Sequence, residues 1–152
     1  MMNIRRVWPG WAVLCVAGLL AVAMTGCGGS VHEAAQEGDY DAVKRFLDQG
    51  GKPDGRDRYG FTALHLAVSS GRDDIVDLLI GAGADPDAKD GQGWAPLHWA
   101  AIGGHTAIAE LLIKADADVN TVDEHGRNPL ALAVEDDFDD LAELLRRHGA
   151  TE

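Results

Sequence analysis

The sequence predicts an all-α solenoid, and three observations predict it. Residues 31–152 repeat with a period of 33: Asp57, Asp90 and Asp123 recur at that interval, as do Gly60, Gly93 and Gly126, Leu64, Leu97 and Leu130, and Ala67, Ala100 and Ala133. Each period holds two short apolar runs with helical spacing, the second carrying residues such as Ile75, Val76, Leu78 and Leu79 on one face. Gly-rich and Asp-rich turns separate the runs, so each unit reads as a helix pair followed by an extended loop.

The units follow in order. The first, 31–56, starts inside its first helix at about Val31, and Val31, His32 and Ala34 carry the series upstream. Its second helix bears Lys44 and Arg45, with Arg45 at the register of Leu78. In the second unit, 57–89, Thr62 supplies a hydroxyl for the free N–H groups of a helix start. Gly71 then closes that helix, and Gly83-Ala84-Asp85 turns the chain into its loop. The third unit, 90–122, places Pro96 in a first turn, where the missing N–H costs nothing, and Gly104 at the helix end. The fourth, 123–152, repeats the proline as Pro129 but has Ala131 for the motif His and Asp137 for the turn Gly. It also has Arg146 where Ile80 and Ile113 stand. Polar outer faces on the end units are what a finished solenoid needs, so four units with both ends capped are expected.

Residues 90–122, DGQGWAPLHWAAIGGHTAIAELLIKADADVNTV, resemble the ankyrin repeat nearly end to end, and residues 57–89 do the same. With the two end units the resemblance covers about four-fifths of the chain. It implies a protein-binding module in which loop tips and the open side of the first helices form one concave face. It also implies a structural role for His65 and His98, tying the loop to the helix start.

Residues 1–26 read differently. They contain no acidic residue, begin with Arg5 and Arg6, and continue into the apolar run Ala12 to Met24. That is the layout of a secretory signal peptide. Thirteen helical residues span roughly 20 Å, short of the ~30 Å hydrocarbon core, so a permanent membrane span is the weaker reading. Arg5-Arg6 leaves the twin-arginine export route open, although Ile4 precedes the pair and Pro9 follows it. Met24-Thr25-Gly26-Cys27 resembles the bacterial lipobox, with Met24 where Leu is commonest. The resemblance implies cleavage before Cys27, a lipid on its thiol, and a flexible tether over residues 27–30. Gly28 after that cysteine resembles the pattern of outer-membrane lipoproteins, because Asp there is the usual inner-membrane signal. The expected location is thus the periplasmic side of the envelope. An ordinary leader with a chance cysteine is the alternative.

The 152 residues carry 25 acidic and 13 basic groups, a formal charge of −12. Losing Arg5 and Arg6 with the leader makes the balance more acidic still. Nucleic acid is not an expected partner, because phosphate binding needs clustered Lys and Arg. Of the two cysteines, Cys15 falls in the leader and Cys27 at the lipid site, which excludes thiol catalysis and a disulfide framework. Asp116, Asp118 and Asn120 mimic the start of a calcium loop, but Thr121 replaces its turn glycine and Arg127 its bidentate Glu. The motif histidines sit one unit apart, roughly 8–10 Å, too far for one zinc ion with bonds of about 2 Å. No P-loop, nucleophile elbow or HExxH motif occurs. No metal, cofactor or small-molecule substrate is therefore expected. A rival reading puts an unfamiliar enzyme site around His125, Asp123, Glu124 and the acidic run Glu135–Asp140.

Positions that the repeat pattern does not dictate carry the functional expectation. On the strip of loop tips and first-helix faces stand Arg56, Arg58, Tyr59 and Phe61, then Lys89, Gln92, Trp94 and Ile102, then Val122, Glu124, His125 and Arg127. Aromatics and arginine are enriched at binding hot spots, and Phe61 and Trp94 are expected there as open anchors. Trp99 is expected in the core. The chain is thus expected to be a non-catalytic, lipid-anchored module that binds or restrains another protein. An immunity protein blocking a periplasmic toxin or hydrolase is the alternative within the same class.

Overall fold

The computed structural model describes residues 30–151. The leader and Cys27 lie outside the described residues. Among the described residues eight helices follow one another: α1 (Val31–Glu37), α2 (Tyr40–Asp48), α3 (Ala63–Ser69), α4 (Asp73–Gly81), α5 (Pro96–Gly103), α6 (Thr106–Lys114), α7 (Pro129–Glu135) and α8 (Asp139–Arg147). The first helices α1, α3, α5 and α7 stack in one row, and the second helices stack behind them in another. Among the described residues no helix is long and apolar enough to cross a membrane.

Local chemistry explains where the helices start. Ser30, expected as the end of the tether, is the N-cap of α1: its hydroxyl accepts the Glu33 N–H at 3.3 Å. Thr62 caps α3 by accepting the His65 N–H, while His65 Nδ1 accepts the Thr62 N–H at 3.2 Å. Ala95 has no side-chain oxygen, but Pro96 opens α5 and His98 Nδ1 still accepts the Ala95 N–H at 3.1 Å. In the last unit Asn128 restores a cap, its Oδ1 accepting the Ala131 N–H at 2.8 Å.

The core is made of the same registers in successive units. Leu64, Leu97 and Leu130 are at most 1 % exposed, as are Ile75, Ile108 and Leu141, and Leu79, Leu112 and Leu145. Burying one such side chain contributes about 1.5–3 kcal/mol. Small Ala67, Ala100 and Ala133 are fully buried between the helix rows, which lets the backbones approach. The polar residues Lys44, Arg45 and Arg146 of the end units are exposed, as their positions require.

Each unit is also tied to the next loop by polar bonds. The Nε2–H groups of His32, His65 and His98 donate to the carbonyls of Gly55, Trp94 and Arg127 at 2.9, 3.0 and 3.1 Å. Asp54, Asp87 and Asn120 accept the N–H groups of Asp85, Asp118 and Thr151 at 2.8, 2.9 and 3.0 Å. Asn120, in the stretch that mimics a calcium loop, is therefore one of a row of side chains holding backbone donors of the next unit. Ala131, in the motif His position, is exposed and has no ring to extend the series.

Candidate protein-binding strip

Three loop tips are shaped by one carboxylate each. Asp57, Asp90 and Asp123 accept with Oδ1 from the N–H two residues on, at 2.8 Å each, and four residues on, at 2.9–3.0 Å. Their own N–H groups donate to the carbonyls of Phe61, Trp94 and Arg127. Each tip is thus a closed turn that exposes its second residue, Arg58, Gly91 or Glu124; Tyr59 and His125 in third place are exposed as well, while Gln92 is half-buried. The fifth residue turns back against the helices.

That geometry corrects the expectation for Phe61 and Trp94. They are only 7 % and 9 % exposed. The Phe61 ring meets Trp99 edge-on at 5.7 Å, and Trp94 lies 5.2 Å from Trp99 and stacks on His98 at 6.1 Å. Trp99 Nε1 donates to Asp90 Oδ2 at 3.0 Å, fixing the middle ring. Phe61 and Trp94 are therefore floor, not open anchors: three aromatic rings bury more apolar area together than any one would on a wet loop. Trp99 is buried, as expected.

The other strip residues divide by what they touch. Tyr59 is 60 % exposed, and the Arg58 guanidinium lies 4.8 Å over its ring. Arg56 is exposed but donates to the carbonyls of Gly60 and Lys89, and Lys89 Nζ donates to the Val122 carbonyl at 2.9 Å. These two basic side chains reach one unit forward at the same register, so they brace neighbouring tips as well as charging them. Arg127, at the register of Phe61 and Trp94, donates to Asp123 Oδ2 from Nε at 3.0 Å and Nη2 at 2.8 Å. It also lies 5.7 Å over the Trp94 ring. Glu124 and His125 are exposed, while Gln92 and Ile102 are half-buried. Val122, at the edge of the strip, is 46 % exposed.

The rival site around His125 does not assemble. His125 Nδ1 is 3.9 Å from Asp123 Oδ2, and that carboxylate is taken by Arg127 and by backbone N–H groups. Burial would raise the Asp123 carboxyl, but the Arg127 N–H, its guanidinium and the His125 N–H outweigh burial and hold it below the usual value. Burial pushes both His65 and His98 below the ordinary histidine range, opposed by their bonds to the Trp94 and Arg127 carbonyls. Both are neutral rings in structural roles. The acidic run opens α8 with Asp139 and Asp140, both exposed in its first turn, where negative charge suits the helix dipole. Among the described residues no group of three or more His, Cys, Asp or Glu is placed to hold a metal ion.

Sequence reasoning missed two things here. It treated the fifth tip residue as open, and it did not see the forward-reaching ladder of Arg56 and Lys89. A signal for the ladder was present: two basic residues 33 apart, each followed one period later by an available loop carbonyl.

A stack of helix pairs with rigid, outward-facing tips defines an interaction scaffold of the repeat-protein class. The family model for ankyrin repeats, in three copies, matches residues 25–90 and 76–151. The chain belongs to the ankyrin-repeat family, whose members are protein–protein interaction modules. No curated protein matches the sequence.

Proposed function

We propose that this chain is a non-catalytic, membrane-anchored interaction module of the bacterial envelope that binds or restrains a partner protein. The lipid on Cys27 holds it to the periplasmic side of a membrane, the outer one in a two-membrane cell. Met24-Thr25-Gly26-Cys27 and Gly28 support that anchor. The observation that carries the binding role is the tip at Asp57. Asp57 fixes the turn with two backbone bonds, yet the turn presents Tyr59, 60 % exposed under a guanidinium, for which the fold has no use. A rigid amphipathic aromatic beside an arginine is the composition of a binding anchor.

Two measurements test the reading. Labelled fatty acid should enter the wild-type chain and not Cys27→Ser, because serine has no thiol to carry the lipid. An unlabelled wild type would overturn the anchor. Affinity capture from envelope extracts should recover a partner with the wild type and lose it with Arg58→Ala/Tyr59→Ala. Asp73→Ala/Asp77→Ala, on exposed positions of α4, should leave capture intact. The opposite pattern would move the binding face to the second helices.

A further inference from the structure

The strip is not uniform in charge. At the second position of the tips the residues run Arg58, Gly91, Glu124 across three successive units, and all three are exposed. On the first helices another register runs Ser69, Ile102, Glu135. The opening aspartates Asp57, Asp90 and Asp123 recur in all three tips and so add no gradient, and Arg127 neutralises Asp123. Arg56 adds a second positive charge at the Arg58 end, and Lys89 lies between. Neither Arg58 nor Glu124 has an ion-pair partner among the described residues; the Arg58 guanidinium lies 4.8 Å over the Tyr59 ring. In the middle unit Gly91 leaves the tip uncharged, and α5 carries half-buried Ile102.

We infer that the strip takes a protein segment of polarised charge: acidic where it meets Arg58, apolar over Ile102, and basic where it meets Glu124. The inference rests on the strip being the binding face. Two unit steps at roughly 8–10 Å separate the end tips by roughly 16–20 Å. About five or six extended residues span that distance. Charge complementarity of this kind sets register and rejects the reversed orientation, because juxtaposed like charges are strongly unfavourable. The overall acidity of the chain alone would select uniformly basic segments, so the two ideas make different forecasts.

The test uses the full-length chain in non-ionic detergent and fluorescent peptides of three charge patterns, each of about twelve residues, long enough to overhang the strip. One has a Glu-rich end, a Leu/Trp centre and a Lys-rich end, made in both chain directions; the others have two Glu-rich or two Lys-rich ends. A photo-crosslinker sits at one end of each. The polarised peptide, in one of its directions, should bind about tenfold tighter than either uniform one, with its Glu end crosslinking to the tip at 56–61. In Arg58→Glu/Glu124→Arg, both surface changes, the crosslink should move to the tip at 123–127. A uniformly basic peptide that binds as tightly, or a crosslink that stays in place in the exchanged variant, overturns the polarity. Equal binding of all three peptides on the strip removes the polarity and leaves the strip standing. Absence of saturable binding, or crosslinks confined to the second helices, removes both.

Discussion

Gly104 and Phe138 occupy one space: a Cβ placed on Gly104 would lie 2.6 Å from Cε1 of the Phe138 ring. The relationship repeats along the stack, with Arg72 over Gly38 and His105 over Gly71 at 3.0 Å each. The residue that opens each second helix covers the turn of the unit before it. Gly104 also has φ 66°, a conformation that side chains disfavour. Gly104→Ala should therefore cost about 2–4 kcal/mol, conformational strain plus overpacking. Gly126→Ala, with φ 75° and open space, should cost only about 1–2 kcal/mol. Urea titrations of the two variants measure the difference, and equal midpoints would contradict the contact.

Asp137 stands at the register of Gly104 with φ 60°. No described helix pair follows to cover its turn, so a side chain fits there and only the backbone strain remains. Asp137→Gly should stabilise the chain by about 0.5–1 kcal/mol. Thermal unfolding should show a raised midpoint; a fall would mean that the carboxylate makes a bond worth more than the strain.

Phe61→Ala and Trp94→Ala should each cost about 3–5 kcal/mol, the range for truncating a buried aromatic. Tyr59→Ala should change stability by less than about 0.5 kcal/mol, because the ring is mostly in water. Far-UV circular dichroism against urea separates the two classes. A stable Trp94→Ala would return that residue to the open surface.

Acid should loosen the stack through His65 and His98. Both fold with pKa values lowered by burial, so the unfolded chain binds protons more readily than the native one. Their contribution is complete above the ordinary histidine pKa of about 6.5 and is lost as pH falls through the lower native values. The urea midpoint should drop between about pH 7.5 and about pH 5. His98→Ala should lower the midpoint at neutral pH by removing two hydrogen bonds, and should make the acid drop shallower. An unchanged slope would assign the acid sensitivity elsewhere.

Lys44→Ala should change stability by less than about 0.5 kcal/mol, since its bond to Asp48 at 3.2 Å is exposed on both sides. Leu97→Ala and Leu112→Ala should cost about 2–5 kcal/mol each. The reverse order would displace the register.

Most of the architecture was legible because one period governs every level of it. The spacing that aligned Leu64, Leu97 and Leu130 also aligned the caps, the turns and the histidine bonds. Substitutions at the ends, such as Arg146 and Asp137, were legible as departures from that period. The site was less so. Phe61 and Trp94 follow a tip glycine and read as loop, and what buries them is Trp99, reached only once the helix folds back. Ser30 ends the expected tether, yet Ser30-x-x-Glu33 has the spacing of a capping box. Its hydroxyl leaves two glycines between Cys27 and the helix start, so a lipid there would hold the first unit within roughly 11 Å of the bilayer surface.

The histidine bonds reach only from one unit to the loop of the next, and the series stops at Ala131. The fourth unit is held instead through Thr151, whose N–H donates to Asn120 Oδ1 at 3.0 Å and whose carbonyl accepts from Asn128 Nδ2 at 2.6 Å. Amide protons of α7 and α8 should exchange with solvent first, and those of α3 to α6, gripped from both sides, last. Whatever docks across the tip at 123–127 would grip the fourth unit from a second side, and its arrival would register as slowed exchange in α7 and α8.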